Sequence, residues 1–499
     1  MYFVLNNDDV LLEALLSAEL NKPFDKLQPE AVISKKEVYV KEIEGKHLVI
    51  QPCNGLWCML NTREFAFFES LQGQTYAALC EEYEESVLGE LLYYLYLRDI
   101  ININGEGFLN EDLLERGPVA KRGPLYLIVP TERCNFRCKY CFACAEHSEQ
   151  PVMSMETVQN IIRFIRHTGQ KSGTIEFAGG EALVAFDFIK KTVQMVKEQI
   201  PESEAKISFA IQTNAVLLDE EKLQFIKEND IRIGISLDGN KETNDKTRVY
   251  ASGKGTYEDI YKAMLRMDEA GVKHGIISVA TPENMNQIPE MMEHYKGLGR
   301  TSVKFNPIFE IGRAKENWSS LAVSPDEYLK AQEKNLRYVE EEKEPVVDGN
   351  LKYFLRHMTS LIKPFRCMVS DCGAGSSFFT FGTDGSVYAC SRYRGDKRFL
   401  LGNVNDGLLP ENIHNEAREQ MCARKVSQIP QCSQCEFRHF CEGGCSIDSF
   451  VHSGDWNSPY PWCEYNKGII MKLFECIARD GEFVHKLYSG FEIIDEDYL

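Results

Sequence analysis

The stretch CNFRCKYC, residues 134–141, carries three cysteines, Cys134, Cys138 and Cys141, separated by three and then two residues. It follows the apolar run 125–129, which predicts a buried strand, so the cysteines lie in the loop after that strand. Three thiolates at this spacing can hold three corners of a cubane iron-sulfur cluster and leave the fourth iron without a protein ligand. An iron with an open position can bind a further molecule.

A structural zinc site is the alternative for three clustered cysteines. Zinc requires four nitrogen or sulfur ligands in closed tetrahedral geometry, and Cys144 or His147 could supply the fourth. The triplet alone does not separate the two kinds of site, so the choice depends on the rest of the chain.

The composition argues against several classes of partner. The chain has 499 residues, with 56 basic and 75 acidic side chains, and a formal net charge of -19 at pH 7. This charge opposes nonspecific attraction to nucleic acid and to anionic membrane surfaces. The N-terminus lacks the features of a signal peptide, and no stretch is apolar over the length that spans a bilayer. We therefore expect a cytoplasmic protein with no nucleic-acid or membrane partner.

Short apolar strands alternate with amphipathic helices between residues 123 and 350. The strand-like segments are 125–129, 174–177, 206–212, 231–237, 275–279 and 302–306. This alternation predicts right-handed βαβ crossovers and a parallel sheet, whose functional groups gather at the carboxyl ends of the strands. The cysteine triplet, with an aromatic residue before its last cysteine, resembles the cluster loop of the radical S-adenosylmethionine (SAM) enzymes. The resemblance implies an α/β fold with a partial (β/α)6 barrel over residues 123–350.

The same resemblance implies the chemistry. In that family the amino and carboxylate groups of SAM chelate the open iron, and one electron from the cluster cleaves SAM to a 5′-deoxyadenosyl radical. Tyr140 would lie near the adenine. Gly179, Gly180 and Glu181 follow the second strand and resemble the GGE motif, which receives the SAM amino group, although Ala182 replaces the usual proline.

Two further strand ends match the peptide-modifying branch of the family. Gln212 and Asn214 close the third strand, and Ser236 precedes Asp238 and Gly239 at the end of the fourth. In that branch the serine and a downstream arginine, best matched here by Arg248, hold the SAM carboxylate. Each motif alone could be only a turn. The expected SAM contacts are Tyr140, Gly179, Gly180, Glu181, Gln212, Asn214, Ser236 and Arg248.

A second field of cysteines occupies residues 351–499. Disulfides poorly explain 17 cysteines in a reducing compartment. Seven cysteines of this field match the pattern of the SPASM extension, which carries auxiliary clusters, and Cys367 makes an eighth, so the resemblance implies three [4Fe–4S] clusters in all. It implies a first auxiliary set of Cys367, Cys372, Cys390 and Cys445 and a second auxiliary set of Cys432, Cys435, Cys441 and Cys463. Taken in isolation, this field is also typical of zinc sites.

Residues 1–110 are predicted to form a separate module. Strands are expected at 36–40, 47–51 and 55–60, helices at 62–71, 74–83 and 86–96, and a short extended segment at 100–103. This order resembles the winged-helix-like RiPP recognition element, the leader-binding module of enzymes that modify ribosomally made peptides. The resemblance implies that a leader peptide adds a strand to an exposed sheet edge. A dimerisation or packing domain is the alternative, and residues 111–122 are expected to be a linker.

Together these features predict a radical SAM/SPASM oxidoreductase that matures a ribosomal precursor peptide with a leader and takes electrons from flavodoxin or ferredoxin. We expect it to form a thioether between a cysteine sulfur and a carbon, with carbon–carbon crosslinking as an alternative. Formylglycine formation in a sulfatase is another, but that branch has an aspartate after the cysteine equivalent to Cys390, where this chain has Ser391. A non-catalytic iron-sulfur or zinc protein is the alternative from a different class. No catalytic residue is identified by the sequence.

Overall fold

The computed structural model describes residues 27–108, 123–145, 151–359 and 372–489. The predicted linker at 111–122 and Cys367 lie outside these ranges. The described chain comprises an N-terminal module, a central parallel sheet flanked by helices, and a C-terminal domain of short helices. No helix within these ranges has the length and apolar character needed to cross a membrane.

The N-terminal module contains two three-stranded sheets and three helices. Its elements are β1 (Val32–Lys35), β2 (Tyr39–Ile43), β3 (Lys46–Ile50), β4 (Trp57–Leu60), α1 (Thr62–Ser70), β5 (Gln74–Thr75), α2 (Tyr76–Glu82), α3 (Glu85–Leu97) and β6 (Ile101–Ile103). Strands β2, β3 and β4 form one antiparallel sheet, and β1 lies between β5 and β6 in the other. Asn61 and Glu64 form a capping box that fixes the first turn of α1. The sequence pattern did not indicate β1.

A tight turn sets the position of the first strand of the β2–β3 hairpin. Glu44 and Gly45 have positive φ angles of 51° and 72°, as a two-residue hairpin turn requires. From this turn the pairing runs back along β2 to Tyr39, which lies opposite Ile50. The strand expected at 36–40 is therefore displaced to β2, because the turn fixes the register.

Six parallel strands form the centre of a ten-stranded sheet and lie side by side in chain order, which confirms the predicted parallel sheet. They are β7 (Leu125–Ile128), β8 (Ser172–Phe177), β9 (Lys206–Thr213), β10 (Arg232–Ser236), β11 (His274–Ala280) and β12 (Ser302–Pro307). The sheet continues beyond β12 with the parallel strand β13 (Val347–Asp348). The helices of this region are α4 (Met155–His167), α5 (Phe186–Gln199), α6 (Glu220–Glu228), α7 (Lys241–Thr247), α8 (Tyr257–Ala270), α9 (Ile288–Gly297), α10 (Arg313–Glu316), α11 (Trp318–Leu321), α12 (Pro325–Glu341) and α13 (Gly349–Thr359).

The helices cover the sheet because their apolar residues recur at helical spacing. In α4, Val158, Ile161 and Ile165 are buried on one face, and the Ser154 side chain caps the first turn. Phe164 of the same helix packs edge to face on Phe379, with ring centroids 5.0 Å apart. Since Phe379 belongs to the C-terminal domain, this helix joins the two regions.

The C-terminal domain extends the sheet on its other side. Its strands are β14 (Phe378–Phe381), β15 (Ser386–Tyr388) and β16 (Leu400–Asn403), and its helices are α14 (Glu416–Ala423), α15 (Pro430–Ser433), α16 (Arg438–Cys441), α17 (Ser446–Ser453), α18 (Cys463–Arg479) and α19 (Phe483–Ser489). Strand β14 runs parallel to β7, and β15 and β16 follow antiparallel. The predicted six strands are thus part of a larger sheet, because strands distant in the chain complete both edges.

The N-terminal sheet shares a hydrophobic core with the C-terminal domain. Ile43, Leu48 and Trp57 belong to the same buried cluster as the residues of α18. The ring of Trp57 lies 4.9 Å from that of Phe474, and its Nε1 donates a hydrogen bond of 2.6 Å to the carbonyl oxygen of Met358. The opposite face of this sheet packs on the module's own helices.

Candidate active site

The cluster loop, residues 134–141, follows β7 and is held from two sides. The N–H of Arg137 donates to the carbonyl of Val249 (2.6 Å), and that of Lys139 donates to the carbonyl of Thr247 (2.9 Å). The thiol of Cys134 accepts the N–H of its neighbour Phe136 at 3.3 Å. The protein's own hydrogen bonds therefore hold the loop against the end of α7 and the segment that follows it.

A cavity of about 490 Å³ lies at the carboxyl ends of the parallel strands. The three cysteines of the cluster loop line it together with every residue predicted to contact SAM. These are Tyr140, Gly179, Gly180, Glu181, Gln212, Asn214, Ser236 and Arg248. The sequence-derived site residues of the barrel thus meet around one space, whose size is that of a small-molecule pocket.

The Gly-Gly-Glu segment is bound to the chain that leads into the cluster loop. The N–H of Gly180 donates to Thr131 (3.1 Å) and that of Glu181 donates to Arg133 (2.7 Å), both to carbonyl oxygens. A Cβ at Gly180 would collide with the carbonyl of Arg133, so the close approach requires glycine here.

The carboxylate of Glu181 is buried and already hydrogen-bonded. It accepts the Thr213 hydroxyl at 2.6 Å and the N–H groups of Asn214 at 2.8 Å and Leu183 at 3.0 Å. Burial raises the pKa of Glu181, and these donors lower it. A carboxylate offers about four acceptor positions, so one direction is left for a ligand such as the amino group that the sequence analysis assigned to it.

A buried network joins the cluster loop to the end of β10. The Tyr140 hydroxyl donates to the carboxylate of Asp238 and accepts a hydrogen bond of 2.7 Å from Nη1 of Arg248. Asp238 also accepts the N–H of Val279 at 2.9 Å. Burial raises the pKa of Tyr140 well above its usual value and also raises that of Asp238. The sequence places Asp238 in the strand-end motif 236–239 but assigns it no role of its own, because its partners are distant in the chain.

The remaining predicted contacts are joined in pairs. Nε2 of Gln212 donates to the hydroxyl of Ser236 at 3.3 Å, and Nδ2 of Asn214 donates to Oδ1 of Asn135 at 2.8 Å. Nε of Arg248 has no hydrogen-bond partner in the described part of the chain. This unpaired donor of a residue that lines the cavity fits a ligand that carries a carboxylate, as SAM does.

Gly312 and Arg313 form a clamp on the cluster loop that no sequence pattern indicated. Arg313 donates from Nη1 to the carbonyl of Cys138 (2.8 Å) and from Nη2 to that of Ala145 (2.7 Å), and its N–H donates to Cys141 (2.9 Å). Gly312 has φ of +60°, and a Cβ there would collide with the backbone that follows Cys141. The carboxyl half of the cluster loop therefore depends on a segment 170 or so residues away.

The far side of the cavity belongs to the C-terminal domain. Arg392 lines it and forms an ion pair of 2.7 Å with Asp448, which also accepts the Tyr393 hydroxyl at 2.7 Å. The Arg392 guanidinium lies 4.0 Å from the ring centroid of Phe309, a cation–π contact. Cys445, a predicted cluster ligand, lines the same wall.

The described cysteines of the first auxiliary set lie near one another. Cys445 interacts electrostatically with Cys372 and Cys390. Cys367 is outside the described residues. The domain thus gathers three thiols that are far apart in the chain, one just after β15, one directly before α17 and one at the start of the described C-terminal segment.

The second auxiliary set is gathered around α16 and α18. Cys441 interacts electrostatically with Cys463 and Cys432, and Cys463 also interacts with Cys435. Nδ2 of Asn466 donates to the sulfur of Cys441 at 3.2 Å. The sequence analysis did not identify this asparagine, which also lines the cavity.

The donor sets fit iron-sulfur clusters chemically. Thiols are the ligands of such clusters. Burial raises the pKa of Cys134 to about 12 and that of Cys138 to about 11, so a metal centre would have to displace their protons. Within the described ranges no three cysteine, histidine or acidic side chains converge closely enough to hold a single metal ion.

Two family models match the chain. The model of the Radical SAM superfamily matches residues 128–295, and the SPASM model, an iron-sulfur cluster-binding domain, matches residues 372–436. The first range contains the cluster loop and the Gly-Gly-Glu segment. The second begins at Cys372 and includes Cys435.

The chain matches several relatives over most of their length. An uncharacterised protein of Methanocaldococcus jannaschii is 30% identical over 276 residues, which are 55% of this chain and 87% of that protein. The cysteine-type anaerobic sulfatase-maturating enzyme of Clostridium novyi is 25% identical over 69% of this chain and 94% of its own. The serine-type enzyme of Bacteroides thetaiotaomicron is 27% identical over 74% and 92%.

Solved structures share the fold. The structure of anSMEcpe with bound AdoMet and the Cp18Cys peptide has a TM-score of 0.63 and 21% identity, and the match covers 73% of this chain and 99% of that one. Streptococcus suis SuiB bound to S-adenosylmethionine has a TM-score of 0.51 and 17% identity, with coverage of 86% and 98%. The same protein bound to its precursor peptide SuiA has a TM-score of 0.50, 16% identity, and coverage of 85% and 98%.

Proposed function

This chain belongs to the radical SAM superfamily, and we propose that it matures a ribosomally synthesised precursor peptide by forming a thioether between a cysteine sulfur and a carbon atom. One observation carries the proposal. The cluster loop, residues 134–141, shares a single cavity of about 490 Å³ with Ser391, Arg392 and Cys445 of the C-terminal domain. A substrate in this cavity would lie between a SAM site and Cys445, a predicted ligand of the first auxiliary set.

We assign Cys134, Cys138 and Cys141 as the ligands of a [4Fe–4S] cluster, and the eight predicted contact residues as the SAM site. Flavodoxin or ferredoxin would be the external reductant. When bound, these groups supply the one-electron chemistry that removes a hydrogen atom from a C–H bond, and auxiliary clusters supply an acceptor for the remaining electron. The chain's own task is to fix the polar ends of SAM. Glu181 and Arg248 are suited to it because both are buried and each retains hydrogen-bonding capacity.

The wall opposite the cluster loop suits a peptide side chain. It is rich in aromatic groups, which exclude water. The aromatic side chains that line the cavity on this side are Phe309, Tyr328, Phe354, Tyr460, Trp462 and Tyr465. Positive charge from Lys304 and Arg392 also faces the cavity, so backbone carbonyls of a peptide would find donors there.

The proton chemistry favours a thioether over formylglycine. Among the described residues that line the cavity, Glu181 is the only carboxylate, and it accepts three hydrogen bonds. Asp448 is held by Arg392 and Tyr393. Ser391, which stands where the sulfatase-maturing branch has its aspartate, is a poor proton acceptor at neutral pH. In the proposed reaction one hydrogen atom would leave a peptide carbon, the cysteine thiol, with an ordinary pKa of about 8.5, would release its proton to solvent, the remaining electron would pass to an auxiliary cluster, and a carbon–sulfur bond would form.

Sulfatase maturation is the second candidate, because relatives at 25% and 27% identity carry that name. It differs from the first in its substrate, a sulfatase active-site cysteine or serine instead of a leader-bearing peptide. Carbon–carbon crosslinking is a further variant of the first candidate. It would also remove two hydrogens, so the mass of the product does not distinguish it from a thioether.

We assign leader recognition to the N-terminal module. Strand β2 pairs with β3 on one side only within the described chain, and an unpaired edge can accept an added strand. The likeness to SuiB covers 86% of this chain, against 73% for anSMEcpe. SuiB has been solved with a precursor peptide, SuiA, and its likeness to a larger part of this chain supports a precursor peptide as the substrate.

The test uses the reconstituted enzyme with SAM, a reductant and candidate precursor peptides encoded beside its gene, and in parallel a sulfatase peptide with cysteine or serine at its active position. We expect a precursor peptide to lose two hydrogens and one iodoacetamide-reactive thiol, and its cysteine-to-serine variant to remain unmodified. A product in which every thiol still reacts would favour a carbon–carbon bond. Turnover of the sulfatase peptide alone would favour the second candidate.

A further inference from the structure

Arg424 lies in the interior of the C-terminal domain, directly after α14. Its side chain is 4% exposed. Nε donates to the carbonyl of Trp456 at 2.8 Å, and Nη2 donates to the carbonyls of Gly443 at 3.1 Å and Ser458 at 3.5 Å. Nη1 is buried and has no acceptor in the described ranges. Two of the three guanidinium nitrogens, Nε and Nη2, therefore bind main-chain carbonyls, and Nη1 is without a partner among the described residues.

The charge of Arg424 has no carboxylate partner among the described residues, since its guanidinium bonds there only to neutral carbonyl groups. Arginine keeps its proton at all accessible pH values. A buried charge without a counter-charge is strongly unfavourable, so structures pair such groups or place them beside a metal centre. The position of Arg424 therefore requires an anion.

The candidates for that anion come from both auxiliary sets. Burial is the main influence on the pKa of Arg424 and lowers it, while Cys432, Cys445, Cys372 and Cys441 raise it. Cys445 and Cys372 belong to the first auxiliary set, and Cys432 and Cys441 to the second. Arg424 also bonds to the carbonyl of Gly443, which stands in the chain between Cys441 of the second auxiliary set and Cys445 of the first, so it lies beside predicted ligands of both sets.

We propose that Arg424 is a positioning residue that serves as the shared counter-charge of the two auxiliary clusters, with Nη1 as a donor to their sulfur atoms. The proposal rests on the assignment of auxiliary clusters under the proposed function. A fixed positive charge stabilises the reduced form of a cluster, because reduction adds one negative charge to it. Hydrogen bonds and charges near the sulfur atoms are known levers on the reduction potential.

A structural role alone would be different. If Arg424 only fastened the loops at Gly443 and Trp456, its loss would affect stability and iron content but not the potential of a correctly assembled cluster. A reduction potential therefore separates the two roles. Arg424→Lys keeps the charge and loses the planar fork of donors, whereas Arg424→Gln keeps polarity and loses the charge.

Two control variants bracket the effect. Lys467 interacts electrostatically with Cys435 and Cys463, both of the second auxiliary set. Lys467→Gln is therefore expected to shift the reduction potential of that cluster alone. Arg300 forms an ion pair with Asp268 outside the C-terminal domain, so Arg300→Gln is expected to leave the reduction potential of both auxiliary clusters unchanged. The cluster at residues 134–141 serves as an internal reference in every sample.

The experiment is a redox titration of the full-length reconstituted protein, followed by electron paramagnetic resonance, with iron content measured in parallel. We expect Arg424→Gln to shift both auxiliary clusters to lower potential and leave the SAM cluster unchanged, with Arg424→Lys close to the unsubstituted protein. If Arg424→Gln loses auxiliary iron and Arg424→Lys retains it, the need for a charge is supported in another way.

Unchanged potentials in an Arg424→Gln protein with full iron content would overturn the proposal. Loss of auxiliary iron in both variants would also overturn it, because the fork and not the charge would then be required. An unsubstituted protein without auxiliary iron would remove the clusters and this proposal together. Failure to modify any peptide, with the potentials shifted as expected, would count against the proposed function and leave the role of Arg424 standing.

Discussion

The guanidinium of Arg313 donates a hydrogen bond to the main-chain oxygen of Cys138, with 2.8 Å between Nη1 and that oxygen. Hydrogen bonds from a charged group contribute about 1.5–3 kcal/mol each, so Arg313→Ala should loosen the cluster loop. We expect it to lower the iron content and SAM cleavage of the reconstituted enzyme while auxiliary iron is retained. Lys315→Ala, an exposed position in the same helix, is the control. Equal iron content and cleavage in the two variants would contradict the clamp.

The cysteines divide into three groups, which predicts three [4Fe–4S] clusters. Changing Cys134, Cys138 and Cys141 together to alanine should abolish formation of 5′-deoxyadenosine, because the SAM cluster loses all its ligands. The auxiliary iron should remain, since its ligands lie in another domain. Iron analysis and absorption spectra of the reconstituted protein provide the measurement. If iron in the triple variant falls to zero, the division into groups is wrong.

Tyr140 links Arg248 and Asp238 through its hydroxyl. Tyr140→Phe keeps the ring but leaves a buried donor and a buried acceptor without this partner, at a cost of about 1–3 kcal/mol. We expect SAM affinity to fall by about tenfold, because Arg248 is no longer held in place. Tyr250→Phe is the matched control, since that hydroxyl bonds to Asp259 at 2.8 Å outside the cavity. SAM binding by equilibrium dialysis would show no difference between the two variants if the network were irrelevant.

Strand addition at β2, whose outer edge is unpaired within the described chain, can be tested at one residue. Pairs alternate from the turn, so the N–H of Val40 points away from β3. Val40→Pro removes this outward donor and spares the ladder to β3, and Val40→Thr is the control that keeps the donor. We expect only the proline variant to weaken binding of the precursor peptide, by about tenfold, with SAM cleavage in the absence of peptide unchanged. Equal peptide affinities, measured by fluorescence anisotropy, would count against strand addition at β2.

Asp348 predicts a pH dependence of stability. Burial raises its pKa to about 6, against hydrogen bonds from Asn350, Gln332 and Phe305 that lower it. Between about pH 4 and pH 6 the folded state binds a proton that the unfolded state has released, so this contribution is complete below pH 4 and is lost as the pH rises to 6. Its size is on the order of 3 kcal/mol.

Asp348→Asn removes that titration. Its midpoint of thermal unfolding, relative to that of the unsubstituted protein, should therefore increase as the pH rises from about 4 to about 7. A constant difference between the two proteins over this range would show that Asp348 does not titrate in it.

Local patterns predicted much of the fold and of the cofactor end of the site. The apolar segments gave the six parallel strands, and the spacing of Cys134, Cys138 and Cys141 indicated one end of the cavity that the structure contains. Both signals lie within a few consecutive residues. Strand β14 left no such signal, because its place beside β7 depends on a partner some 250 residues away in the chain.

The same reason explains the side chains that were missed. Arg313, Asp238 and Arg424 act through carbonyl groups or hydroxyls that lie elsewhere in the sequence, and a single arginine or aspartate has no periodicity to mark it. The first strand was misplaced at 36–40 for a different reason. Alternation of apolar residues fits more than one register, and the turn at Glu44 and Gly45 decides which one forms.

The packing of Trp57 against Phe474 affects how such enzymes can be recombined. A crossover between the N-terminal module and the barrel would leave one half of a shared core in each parent. A chimera that exchanges the module alone would therefore expose an aromatic surface on α18 and a matching one on β4. To transplant the proposed leader specificity intact, the engineer should move the complementary face of α18 with the module, or redesign both surfaces together.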